Sequence, residues 1–412
     1  MTIGVGGKSI DGALAALNDM TTDIKPISIT EYRERVLNAQ QLMREQKVDA
    51  LFISPSNNLY YFTGINWRAS ERLAGVIIPA KGPLTYIIPH FELDSFKECI
   101  IIRGDFFTWQ EHENPVTLTL NLLYNKEFAK INSTSSSLLK MSLALCGALP
   151  FTVANQFLEH NEKFNITCAD NITDPCRQQK SDTELALIQR AMDMSLAVHQ
   201  ATASILHEGI SSQDVNAFIN EAHKKVGASG SYFSIVLFGY AAALPHGIQG
   251  WQNLKNGDMV LIDIGCKLMG YTSDITRSYV FGEPDQKQRD VWQAEKEAQA
   301  AAFLAAQLGN TCEYVDIQAR AKLVEHGFCA DYALPGLPHR TGHGIGLEVH
   351  EGPYLVQGDK TKLTTGMCFS NEPTICIPGE FGVRLEDHFY MTSDGPKWFT
   401  QPSKSIDDPF GV

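Results

Sequence analysis

The 412-residue sequence has no apolar run long enough to span a bilayer, no excess of positive charge and no paired-cysteine motif. Its longest apolar stretches, such as 74–80 and 259–264, fall far short of the roughly 20 residues that a membrane helix needs. No membrane partner is expected. Lysine and arginine number 34 against 47 aspartates and glutamates, a net charge of −13. Such a chain repels phosphate backbones and anionic lipid, so nucleic acid is not an expected partner either. The nine cysteines lack CxxC spacing, and an odd number cannot all pair within one chain, so reduced and mostly buried thiols are expected. The first 20 residues carry one lysine and no continuous apolar core, which reads as no secretory signal and points to a cytoplasmic location.

What is present is ordinary globular composition, 44% apolar and 20% charged, over a length that one core does not fill. A leader (1–28) precedes a stripe of Tyr32, Val36, Ala39, Leu42 and Met43 at helical spacing. Short apolar runs at 50–54, 74–79 and 84–88 follow, separated by turn signals, and together they predict a small α/β domain over 29–170. Residues 171–182 are polar, contain Pro175, and read as a linker. Beyond them, 183–412 alternates two helices, a group of strands, two more helices and a second group of strands, the pattern of a duplicated half.

Each strand group carries acidic residues where strands should be apolar. Asp263 sits inside the run Val260–Gly265, where an unpaired carboxylate would cost several kcal/mol. Asp274 follows in a second strand-like segment, and a turn through Gly270 would bring the two carboxylates together. Two buried aspartates side by side repel and call for a cation. His343, flanked by glycines in His339–Gly346, Glu372 in Ser370–Pro373 and Glu386 in Arg384–Asp387 complete a mainly oxygen donor set. That set suits two divalent ions, and four carboxylates against two such ions leave no net charge. Any one of these residues has an ordinary structural explanation, a hydrogen-bonded aspartate or a tight glycine turn. All five in order, with a histidine on either side of His343, do not.

These residues resemble the pita-bread metallopeptidases, the family of creatinase, prolidase, methionine aminopeptidase and aminopeptidase P, and within it the Xaa-Pro peptidase branch. The resemblance runs from about residue 29 to 400 and is strongest between 243 and 387. It implies an α+β catalytic domain of pita-bread fold behind a smaller creatinase-like α/β domain, and a homodimer or higher homo-oligomer. It implies too that Asp263 chelates one ion, that Asp274 and Glu386 bridge both, and that His343 and Glu372 hold the second. The ions would be manganese first, with zinc, cobalt or iron as alternatives, and a hydroxide between them would attack the peptide bond before proline. Glu372 would also carry the proton. His246, His339 and His350 match the family's substrate-side histidines, and Arg384 its arginine beside the bridging glutamate. The segment Asn58–Gly64, followed by Trp67, Arg68 and Arg72, resembles one that closes over a neighbouring subunit.

The expected activity is therefore hydrolysis of short proline-containing peptides, as an Xaa-Pro dipeptidase or aminopeptidase. A same-fold amidohydrolase acting on ectoine or a creatine-like substrate is an alternative, although the full ligand set argues against a creatinase. A non-catalytic pita-bread binding module is a further alternative, and relatives of that kind have lost ligands that this sequence keeps.

Overall fold

The computed structural model describes residues 2–124, 140–160 and 163–411. The chain forms two compact units, Ile27–Arg177 and a larger one made of Met1–Pro26 with Gln178–Val412.

In the smaller unit a six-stranded mixed sheet runs in the order Gly104–Trp109, Leu84–Pro89, Gly75–Pro79, Ala50–Ile53, Met141–Leu145 and Phe164–Cys168. Its apolar strands pack through Phe52, Ile77, Ile87, Leu143 and Phe157 into one core. The helix Ile29–Gln46 is capped by Ser28, and its expected stripe buries Tyr32, Val36, Ala39 and Met43. Arg35 and Gln40 are buried beside them, because Arg35 donates to the Tyr61 carbonyl at 3.0 Å and Gln40 to that of Pro79 at 2.9 Å. Trp67 is half-buried with its ring edge-on to Phe96, and Arg72 pairs with Glu111.

The segment read as a linker is instead helical over Asp170–Gln178, despite Pro175. Composition misled here because the buried positions are few. Ile172, Thr173 and Arg177 face inward, and Arg177 donates to Asn58 at 2.9 Å. The next helix, Asp182–Ile205, starts at once from a capping box of Ser181 and Glu184. The leader is likewise part of a unit. The Thr2 hydroxyl donates to the Val280 carbonyl, the Gly6 N–H to Ala203 and the Met20 N–H to Val226.

The larger unit repeats one plan. Helices Asp182–Ile205 and Ser212–Lys225 precede a three-stranded sheet ordered Ile275–Val280, Met259–Gly265 and Phe233–Phe238. Helices Gln286–Ala305 and Cys312–Glu325 precede a five-stranded sheet ordered Glu351–Leu355, Gly342–Gly344, Cys368–Asn371, Asp387–Thr392 and Gly395–Trp398. A hairpin of Thr374–Ile377 and Phe381–Arg384 packs with the first half. The N-caps Ser211 and Thr311 occupy equivalent places in the two halves, and each makes an isolated β-bridge, to Asn253 and Lys362.

Two strands expected to be continuous are interrupted. The segment 271–281 breaks at Ser273–Asp274, and 383–391 breaks at Leu385–Glu386. In both, an expected metal ligand stands at the break.

The first half also buries two histidines. His199 donates from Nε2 to the Ile275 carbonyl at 2.8 Å, and His223 lies between the Ser195 and Ser231 hydroxyls. Burial lowers their pKa values to about 3 and about 4. An unfolded chain protonates these rings near pH 6.5, so between 6.5 and about 4 the unfolded state binds more protons and stability falls as pH falls, by about 1.4 kcal/mol per pH unit for each histidine. Above 6.5 neither contributes a slope. Urea titrations from pH 7 to 4.5 should therefore show a steep loss of stability that His223→Asn makes shallower by one histidine's share. Identical slopes for the two proteins would refute the assignment.

Candidate metal centre

Five segments of the larger unit deliver carboxylates and an imidazole to one place. Asp263 lies in the strand Met259–Gly265, opposite Thr276 of the neighbouring strand. Asp274 stands two residues before Thr276, where the strand breaks and turns its side chain inward. Thr276 forms an isolated bridge with Glu386, and its hydroxyl donates to Glu386 Oε2 at 2.7 Å. The two acidic segments of the two halves are thus joined through one threonine.

His343 comes from the short strand Gly342–Gly344. A side chain at Gly342 would place its Cβ 2.1 Å from the Ser370 carbonyl oxygen, so glycine is required for these strands to approach. His343 Nδ1 donates to the Gly344 carbonyl at 3.0 Å, which fixes the tautomer and leaves the Nε2 lone pair for a ligand. Nε2 lies 3.0 Å from Glu372 Oε1, 3.6 Å from Asp274 Oδ2 and 4.0 Å from Glu386 Oε1, yet has no hydrogen-bond partner. One oxygen each of Asp263, Asp274 and Glu386 is also buried without a partner. Orphaned acceptors converging from four residues are what a bound cation would satisfy. This buried, mainly oxygen donor set fits a divalent metal centre.

The electrostatics agree. Burial, followed by repulsion from Glu386 and Asp263, pushes Asp274 well above the usual carboxylate range. Burial and Glu372 do the same to Glu386. Burial raises Asp263 as well, against the Arg384 guanidinium, which donates to Asp263 at 2.6 Å and to the Thr276 hydroxyl at 3.1 Å. Glu372 goes the other way, because the charges of His343, His339 and Arg384 outweigh its burial. Behind the ligands, Arg277 and Asp387 form an ion pair at 2.7 Å, both fully buried, and Arg277 also binds the Glu386 carbonyl at 2.8 Å.

A cleft of about 1250 Å³ opens onto these residues. It is lined by His246, His339 and His350, with Tyr232, Phe233 and Ile235 on an apolar wall. His350 stands edge-on to His343 with centroids 4.2 Å apart, and burial, then the charge of His343, lowers its pKa to about 4. His339 has both nitrogens engaged, with the Arg340 carbonyl at 2.7 Å and the Thr374 hydroxyl at 3.0 Å. Tyr232, Phe233 and Arg340 were not among the expected site residues, yet all three line the cleft. Nor was His388, whose ring lies 5.9 Å from that of His343 and whose pKa burial pushes well below its ordinary value.

Comparison with known proteins follows this geometry. The pattern of Metallopeptidase family M24 matches residues 186–393, and that of the Creatinase/Prolidase N-terminal domain matches 35–179. A Xaa-Pro dipeptidase from Pyrococcus furiosus is 31% identical over 91% of this chain and 99% of its own. The crystal structure of dipeptidase PepE from Mycobacterium ulcerans superposes with a TM-score of 0.81 at 30% identity, covering 92% of this chain and 97% of that one. A recombinant prolidase from Thermococcus sibiricus gives a TM-score of 0.79 at 29% identity, over 90% and 97%.

Raised carboxylate pKa values mean that the metal-free fold holds protons which the unfolded chain has released, so its stability falls as pH rises above the ordinary carboxylate range near 4. Above pH 6.5, where the buried histidines contribute no slope, chelated protein should therefore melt at progressively lower temperature from pH 7 to 8.5, and added divalent ion should reverse the loss. A metal-free Tm that rises over that range would contradict the buried-cluster account. Glu386→Ala, which would remove a ligand expected to be shared, should take up less metal by elemental analysis and lose hydrolysis. Full occupancy with near-normal turnover would show that Glu386 does not bridge.

Proposed function

The chain belongs to metallopeptidase family M24, and we propose that its pita-bread domain hydrolyses Xaa-Pro dipeptides with the aid of two divalent ions. The observation that carries this reading is the convergence of Asp263, Asp274, His343, Glu372 and Glu386 at the floor of a cleft lined by His246 and His350. When bound, the ion pair supplies Lewis acidity and a water that is acidic near neutral pH.

The chain's own residues do the rest. Glu372, the ligand whose carboxylate remains partly open to the cleft, is placed to take a proton and pass it to the leaving proline nitrogen. His350 is neutral at pH 7, so it donates a hydrogen bond to the carbonyl oxygen as charge builds there. His246 is exposed at the same cleft and is placed toward the proline end. Arg384 is committed to Asp263 and Thr276, and its part is to hold Asp263 in position. Arg340, with its guanidinium 4.4 Å from the Tyr354 ring centre, is the cleft cation available to the free carboxylate of a dipeptide.

Proline has no N–H after its peptide bond forms, so its ring must be selected by shape. The apolar wall of Tyr232, Phe233 and Ile235 supplies a surface for that. Ala-Pro and Met-Pro should be cleaved at least ~10-fold faster than the matching Xaa-Ala peptides, since a lost apolar ring is worth about 1–3 kcal/mol. A screen of dipeptides, Xaa-Pro-Yaa tripeptides, creatine and ectoine with manganese, cobalt and zinc tests this. Equal rates on Xaa-Pro and Xaa-Ala, or turnover of ectoine alone, would overturn the prolyl reading.

His350→Ala should keep both ions and lose catalysis by on the order of 100-fold, the scale for removing one transition-state hydrogen-bond donor. Loss of metal from that variant would mark His350 as a support of the centre and not a group acting on substrate.

A further inference from the structure

His388 is fully buried, and among the described residues neither of its ring nitrogens makes a well-formed hydrogen bond, although the Asp274 backbone lies beside it. A buried polar atom left unpaired costs about 1–3 kcal/mol, so two on one ring call for an explanation. The sheet shows where the ring is directed. Side chains alternate along a strand, so Asp387 turns to the buried Arg277 while Glu386 and His388 share the opposite face. Across the sheet, His388 is paired with Ser370, and the Ser370 hydroxyl accepts the His343 N–H at 2.8 Å. His343, through its backbone N–H, and His388, through strand pairing, therefore flank the same serine from either side, with their ring centres 5.9 Å apart.

One ligand atom from each of Asp274, His343, Glu386 and His388 can be chosen so that all four lie within 4.8 Å of one another. We propose that His388 is a further ligand of the ion held by His343, giving that ion two imidazoles between the bridging carboxylates. This rests on the two-metal reading above and adds to it a residue that the five-ligand set does not contain. A neutral imidazole adds a donor without altering the charge balance between four carboxylates and two divalent ions. It does alter their character. A second nitrogen moves an otherwise oxygen-rich site toward zinc, cobalt or iron and away from manganese.

The test is a cobalt(II) titration of metal-free full-length protein, wild type against His388→Val and His388→Asn, followed by equilibrium dialysis and visible absorption. Wild type should take up two ions. In the variants one of the two should bind more weakly by well over ~10-fold, which is already the low end for losing a residue that only supports a ligand, and the visible spectrum should change. Manganese affinity should fall less than cobalt affinity. Proton NMR of cobalt-loaded wild type needs no variant and should show two strongly shifted, solvent-exchangeable imidazole N–H signals, one each from His343 and His388. A single such signal, or unchanged cobalt affinity and spectrum in folded variants, would overturn the assignment of His388 while leaving the metal pair intact. Wild-type protein that takes up no cobalt would overturn both.

Discussion

Mutual repulsion among three buried carboxylates and a fourth at the cleft floor is the constraint on which the larger unit is built. Asp263, Asp274, Glu372 and Glu386 approach one another in a region from which water is largely excluded, where like charges are least screened. Arg384 is the nearest permanent cation, and it meets Asp263 directly. One guanidinium does not balance four carboxylates. The metal-free fold answers by holding protons on Asp274 and Glu386, and a divalent pair would replace those protons and satisfy the same orphaned oxygens. Metal affinity and fold stability are therefore two aspects of the same electrostatic strain.

The architecture holds that strain by dividing the ligands between the repeated halves. Asp263 and Asp274 come from the first strand group, and His343, Glu372 and Glu386 from the second. Thr276 ties the groups together through its backbone bridge and its hydroxyl, and the Arg277–Asp387 pair fixes the same register one residue further on. Removing one partner of such a pair leaves an uncompensated buried charge, which costs more than the pair itself contributes. This gives Arg277 and Asp387 a role without any contact to substrate: they prevent the two acidic segments from sliding apart.

The residues that converge on this centre were legible in the sequence because each breaks a local rule. An aspartate inside an apolar strand, a histidine among glycines and a glutamate before proline all stand out from their surroundings. The strand breaks at Ser273–Asp274 and Leu385–Glu386 were not legible, since hydrophobic content continues through both and tertiary pairing alone decides where the ladder stops. The helix Asp170–Gln178 was missed for the opposite reason. Its polar composition and Pro175 look like a linker, and only the inward positions of Ile172, Thr173 and Arg177 reveal a packed face. Tyr232 and Phe233 give no sign of a cleft in the sequence, because an aromatic residue at the start of a strand reads the same whether its neighbours are core or solvent. His388 could have been found from the same period, as the residue two positions after Glu386, but a histidine in a buried strand gives no sign of whether it is satisfied until its neighbours are known.

That last ambiguity has a physical answer in how the two faces of the strand Asp387–Thr392 are used. Its outward register at Asp387 is saturated, with Arg277, Gln299 and the Thr400 hydroxyl all bonded to one carboxylate. Its inward register is left polar and unsatisfied at both Glu386 and His388. A strand that merely tolerated a buried histidine would be expected to give it one of the many hydroxyls nearby, as the same unit does for His223 with Ser195 and Ser231 and for His339 with Thr374. The contrast lies in the direction of the ring. His223 and His339 face groups that complete them, whereas His388 faces a set of acceptors that need a cation as much as it does.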